Sequence, residues 1–191
     1  MPSWIIWKGV VKPMLSKKNR VFVLIVLTLV LSFFGYRQYC YGDFKRAYEN
    51  GASTYEQFYS LTGLGRLFGK QYVDDVKKAG YDLDDYNLKM MDRIPALTSK
   101  KLGIEFVPEK SHIRVRFNYE LNGRRISVFQ QLDKNMRRKG DGVYDLIDEN
   151  GNDIESIQLS EDEQEQLREV AENELKAMLK DIYDSMYPEE K

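Results

Sequence analysis

The residue types that do most protein chemistry are scarce in this chain. It holds one histidine, His112, and one cysteine, Cys40. A zinc site or a nucleophilic triad needs several such side chains converging, and a lone His112 at the start of a strand-like run supplies neither. Acidic residues are plentiful, so a paired-carboxylate site stays open, but no spacing singles one out. Asp82, Asp84 and Asp85 imitate a calcium loop. Asn87 stands where that loop needs its glycine, and no closing glutamate follows. Asp148, Asn150 and Asn152 do the same with Gly151 in the wrong place; a solvated helix start accounts for the first run and turn chemistry for the second. Thr62-Gly-Leu-Gly65 lacks the Gly-Lys-Ser/Thr ending of a phosphate loop and reads as a turn. No cofactor is implied.

The other chemistry in the sequence is recognition. In HIRVRFNYELNGRRISVFQQL (112–132), Ile113, Val115, Phe117, Tyr119 and Leu121 alternate with His112, Arg114, Arg116, Asn118 and Glu120. Period-two alternation is the mark of a strand with one buried face. Asn122-Gly123 is the strongest short hairpin signal, because a type I′ turn needs two positive φ angles. A two-residue turn sets Tyr119 against Ile126, Phe117 against Val128 and Ile113 against Leu132. On the opposite face it sets Glu120 against Arg125, Asn118 against Ser127, Arg116 against Phe129, and Arg114 against Gln131. Turn and apolar pairing give one register, and a slip by one residue would put the apolar set in water. The polar face then presents Arg114, Arg116, Asn118, Arg125 and Gln131 around Phe129. Arginine with an aromatic is the composition of protein-binding hot spots. The competing reading is a solvated face on which arginine lies over Phe129 as a cation–π pair. A third is attraction of phosphate in an anionic lipid or cell-wall polymer.

The flanking elements must hold this face. Leu102, Ile104 and Phe106 alternate in a strand closed by Pro108. Asp133–Gly142 is a polar loop carrying Lys134, Arg137, Arg138 and Lys139. A second hairpin turns at Asn150-Gly151, pairing Ile147 with Ile154 and Tyr144 with Ile157. Ser160-Glu-Asp-Glu163 is a capping box. Leu167, Val170, Ala171, Leu175, Met178, Leu179, Ile182 and Met186 then recur at helical spacing up to Pro188. The simplest place for that helix is across the apolar face of the sheet; a coiled-coil or partner helix is the rival. Upstream, short helices are predicted over Asp43–Asn50, from the capping box Ser53–Glu56 with Tyr55, Phe58 and Tyr59 buried, over Lys70–Ala79, and from Asp84 through Leu88, Met90, Met91 and Ile94 to Pro95.

Val21–Tyr36 (VFVLIVLTLVLSFFGY) carries no charge and is the most apolar stretch of the chain. With its flanks it reads as a single transmembrane helix. Lys17, Lys18, Arg20 and Arg37 flank it as charges, and Tyr36 and Tyr39 suit headgroup depth. Lys8, Lys12, Lys17, Lys18 and Arg20 outnumber Arg37, Lys45 and Arg46, so the N-terminus is expected in the cytoplasm and the C-terminal domain outside. A cleaved signal peptide is the competing reading. Its only small-x-small site is Cys40-Tyr41-Gly42, with bulky Tyr39 and charged Arg37 just before it. Residues 1–13, with Trp4 and Trp7, read as an interfacial segment; alternatively, Met14 is the true start. The division is 1–20 basic flank, 21–41 transmembrane anchor and 42–191 extracytoplasmic domain. The fold class is α+β: an N-terminal transmembrane helix, short helices, then an antiparallel β-meander covered by a long C-terminal helix. The formal net charge of −1 over 191 residues gives no reason to expect nucleic acid.

The layout resembles the TipC family of immunity proteins, single-span proteins of Gram-positive bacteria. The features that carry the resemblance are the N-terminal span, the hairpin SHIRVRFNYELNGRRISVFQQL, a second strand pair, and the closing helix SEDEQEQLREVAENELKAMLKDIYD. The resemblance implies a non-enzymatic protein that binds and blocks a toxin exported by type VII secretion. It carries over no toxin-contacting residue, so the partner-binding assignment rests on the sheet face. The expected partners are therefore a protein, a secreted toxin under the resemblance, and the membrane. Two alternatives stand beside it: a structural subunit of a cell-envelope or secretion complex, and an enzyme acting on envelope material.

Overall fold

A computed structural model describes residues 17–62, 86–91, 94–99 and 102–187. The chain divides into two compact units, Met1–Cys40 and Tyr41–Lys191. The first is dominated by α1 (Lys17–Tyr41). Within it Lys18–Tyr36 is long and apolar enough to cross a membrane, and every side chain in that stretch is exposed. Thr28, one of the few polar residues there, donates its hydroxyl to the Leu24 carbonyl 2.9 Å away. Such a bond satisfies the side chain within its own helix, which apolar surroundings demand. Lys17, Lys18, Arg20, Tyr36, Arg37 and Tyr39 all fall on α1; the side chains of Lys17 and Arg37 lie outside the described residues.

The second unit is α+β. Helices α2 (Asp43–Glu49) and α3 (Thr54–Thr62) precede seven strands. These are β1 (Tyr86–Met91), β2 (Ile94–Ser99), β3 (Glu105–Pro108), β4 (His112–Leu121), β5 (Arg124–Asp133), β6 (Val143–Ile147) and β7 (Asp153–Ser156). All neighbours are antiparallel and the strands lie in sequence order, a simple meander. Helix α4 (Glu161–Met186) closes the chain.

The physics of the central hairpin is that read from its sequence. Asn122 and Gly123 take φ of 51° and 75°, as a type I′ turn requires. Tyr119 faces Ile126, Phe117 faces Val128 and Ile113 faces Leu132. Ile113, Val115, Phe117, Leu121, Ile126, Val128 and Leu132 are buried in one cluster with Leu167, Ala171, Leu175, Met178, Leu179 and Ile182 of α4. The closing helix therefore covers the apolar face of the sheet. Phe44 of α2 and Tyr55, Phe58 and Leu61 of α3 belong to the same cluster. The α3 capping box forms, with the Ser53 N–H donating to Glu56 at 3.1 Å and the Glu56 N–H to Ser53 at 3.3 Å. At α4 the Ser160 N–H donates to Glu163 at 2.9 Å and the Glu163 N–H to Ser160 at 3.3 Å. Glu163 also reaches back to the central turn, 2.6 Å from Arg124 and 3.2 Å from Asn122.

Three expectations need correction. The helix predicted from Asp84 through Ile94 does not form: Tyr86–Met91 and Ile94–Ser99 pair as β1 and β2, Leu88 opposite Leu97 and Met91 opposite Ile94. Leu88, Met90, Met91 and Ile94 fit either period over so short a run, and Pro95 decides between them. It would remove a hydrogen bond from a continuing helix. As the second residue of β2 it precedes the part that pairs with β3, Leu97 and Thr98. Leu102 is not in a strand; it lies in a turn, 40 % exposed, and β3 begins at Glu105. In the second hairpin Tyr144 and Ile157 pair as expected, with a 2.8 Å backbone bond, but Ile147 faces Asp153 rather than Ile154. Asn150 does not adopt positive φ. Instead the Asp148 carboxylate accepts the N–H groups of Asn150 and Asn152, both at 2.8 Å, closing a longer loop. The strand pair absorbs the difference as a bulge at Leu146/Ile147. The interfacial segment 1–13, the turn at Gly63–Gly65, the helix expected over Lys70–Ala79, the Asp82–Asp85 run and Pro188 lie outside the described residues.

Candidate functional site: the outer face of the sheet

With α4 on one face, the other face of β4–β6 carries the polar half of the alternation. Cross-strand pairing brings the sequence-predicted residues into three rows. Arg116 stands opposite Phe129, and Phe129 opposite Val143. Arg114 stands opposite Gln131. Asn118 stands opposite Ser127, which in turn faces Asp145. Arg125 lies further along, across from Glu120. Phe129 is 37 % exposed and Val143 50 %, so the row from Arg116 to Val143 is a charge followed by an open apolar step.

The three arginines differ in their engagements. Arg114 Nε is 2.7 Å from a Glu109 carboxylate oxygen. Arg125 donates to the Glu149 carbonyl at 3.2 Å, which ties it to the β6–β7 loop. Among the described residues Arg116 makes no ion pair, and no arginine stacks on Phe129. Residues that sequence reasoning missed stand here too: Glu105 of β3, opposite Arg116, and Val143 and Asp145 of β6, with Asp153 of β7, which pairs with Ile147, at the groove's end. Together with Arg116 and Phe129 they line a groove of about 460 Å³. Asp145 accepts the Ser156 hydroxyl. The face is therefore of mixed sign, not basic.

His112 lies at the edge of this face. Its Nε2 is 3.2 Å from Glu109 and its Nδ1 3.2 Å from the Ser111 hydroxyl. Serine, histidine and acid in that order imitate a triad. Here all three come from one tight turn, and the Lys139 ammonium donates to the same serine oxygen at 3.2 Å. No group of three or more His, Cys, Asp or Glu side chains is arranged to hold a metal among the described residues.

Two polar features lie on the core side. Gln130, opposite Val115, is buried, and neither end of its amide meets a protein partner. Tyr144 packs its ring end against Gly142, where a Cβ would come within 2.3 Å of the hydroxyl. Burial raises the Tyr144 hydroxyl above its ordinary pKa, against the pull of Arg138. Comparison with protein-family models, curated proteins and solved structures found no match.

Proposed function

We propose that this chain is a membrane-anchored binding protein. Its N-terminus lies in the cytoplasm, its C-terminal domain faces out, and the outer face of its sheet docks a protein partner. Under the resemblance to TipC-like immunity proteins that partner is a toxin exported by type VII secretion, and binding blocks it without catalysis. One observation carries the reading: the sheet has one face sealed by α4, and on the other Phe129 and Val143 lie exposed beside Arg116, which makes no ion pair among the described residues. An exposed aromatic beside an arginine is what interface anchors use.

The test is co-expression with the product of the adjacent gene, exported to the cell surface, scored by growth. Rescue is expected from the full chain and not from a Phe129→Ser, Arg116→Glu double variant that keeps the wild-type far-UV spectrum. Rescue by that double variant would remove the face assignment. Absence of both toxicity and complex would remove the immunity reading and favour an envelope-complex subunit.

A further inference from the structure

We infer that the free edge of the sheet, β7, takes up an extended basic segment of a partner protein as an added strand. This edge is distinct from the outer face described above. β7 has β6 on one side and, among the described residues, no strand on the other, and all four of its residues are exposed. The Ile157 N–H donates to the Tyr144 carbonyl at 2.8 Å, which makes these two a hydrogen-bonded pair. Bonded and non-bonded pairs alternate along an antiparallel ladder. Ser156, opposite Asp145, is therefore non-bonded, and its N–H and C=O point away from β6. Ile154 falls in the bulge without a partner on β6 and is 65 % exposed. An edge with unpaired backbone groups is a template for another strand, and Ile154 adds an apolar contact at it.

Charge selects the occupant. Asp153 and Glu155 of β7 make no ion pair among the described residues. From Asp141 to Gln166 the chain carries ten acidic side chains and no basic one, so the surroundings of the edge offer these two carboxylates no cation from their own stretch of chain. Two copies joined edge to edge would set two acidic strands side by side, and like charges across a ladder are unfavourable. Charge on an edge strand is one way a sheet refuses its own copies. The same carboxylates become favourable cross-strand partners when the incoming strand carries Lys or Arg. A strand that repels its own kind and leaves its backbone open thus discriminates by the sign of what is added.

The test uses the full chain in detergent micelles and three fluorescein-labelled peptides, followed by polarisation: Thr-Lys-Val-Lys-Val-Lys-Thr, its acidic counterpart Thr-Glu-Val-Glu-Val-Glu-Thr, and the basic peptide with every backbone nitrogen methylated. The basic peptide should bind in the millimolar range, at least about threefold tighter than the acidic one, with the difference shrinking at high salt. The methylated peptide keeps its charges but cannot donate to a ladder, so it should bind about tenfold more weakly. It reads the backbone bond without altering the protein. Ser156→Pro removes an N–H that β6 does not use and should weaken the basic peptide as much, whereas Ser156→Ala keeps the N–H and should not. Equal binding of the methylated and unmethylated peptides would mean adsorption to an acidic surface and would overturn strand addition. So would a preference for the acidic peptide, or no binding in the millimolar range. Loss of binding in the Phe129→Ser, Arg116→Glu double variant would put the peptide on the outer face and remove the edge site. A concentration-dependent mass of the chain alone, lost in Ser156→Pro, would make the occupant a second copy and overturn the basic partner.

Discussion

If α4 covers the sheet, truncating its central buried side chain must destabilise the domain, while an adjacent exposed one must not. Leu175 is fully buried in the cluster that joins α4 to β4 and β5. Leu175→Ala removes that packing and leaves a cavity that the surrounding core fills only in part, a cost of about 2–5 kcal/mol. For a unit of this size each kcal/mol lowers the melting temperature by about 2–4 °C, so the expected fall is about 4–20 °C. Lys176 is the control: it pairs with Glu172 at 2.6 Å, with its side chain 54 % exposed. Lys176→Ala should cost no more than about 0.5 kcal/mol. Urea titration of the full chain in detergent, followed by far-UV circular dichroism, measures both, with an unchanged slope expected for each. Two equal, small effects would refute the packing. So would a Leu175→Ala loss that depends on protein concentration, because the apolar stripe would then be meeting another chain.

Further outcomes follow from single contacts. Gln130→Met exchanges an amide without a protein partner for an apolar group of similar volume, and should raise stability by about 1–3 kcal/mol in the same titration. Gly123→Val forces a β-branched residue into a turn position at φ 75° and should cost at least about 1–2 kcal/mol, with loss of the native hairpin signals by NMR. Glu163 accepts the Ser160 backbone N–H, and this bond holds its carboxyl below the ordinary 4.5 against its desolvation, with Arg124 and Asn122 adding to the effect. A depressed carboxylate contributes in full above its unfolded pKa and loses that contribution as pH falls through the folded value. The stability of Glu163→Gln, which retains the capping geometry, should therefore fall less steeply than wild type below pH 4.5. The hydrogen bond that Tyr183 donates to Glu49 at 2.7 Å pushes its phenol up to about 12. One tyrosine should therefore ionise late in an absorbance titration and be absent from that late phase in Tyr183→Phe.

The parts of the fold that could be read from sequence are those in which two signals agree. In β4–β5 the turn type and the apolar alternation each fix the register, and both give Phe117 opposite Val128. In α4 the capping box and the apolar stripe define the same helix. Where one signal stood alone, it misled. Asn150-Gly151 looks like Asn122-Gly123, but the Asp148 carboxylate offers its backbone a competing set of bonds, and the register slips. Leu88 to Ile94 is too short to separate a period of two from one of three to four. Met136 could not be found at all: it sits in a polar loop, at φ 59°, yet is buried in the core. Nothing in Asn135-Met136-Arg137 announces that.

The same reasoning explains why the candidate site was half visible. Arg114, Arg116 and Phe129 belong to one hairpin and could be placed on one face from its register alone. Glu105, Val143 and Asp145 reach that face only because β3 and β6 flank the hairpin. That adjacency is a property of the sheet, not of any local run. It also changes the chemistry. Seen alone, the hairpin face is basic and would suit phosphate. With its neighbours it becomes a face of mixed sign, on which Glu105 stands across from Arg116 and Asp145 lies one row along from Val143. Attraction to anionic polymers is indifferent to sequence and grows with every added cation. A face of mixed sign gains only from a partner whose charges are placed to complement it, and it repels the rest. That difference is why the proposed partner is a protein and not a polymer.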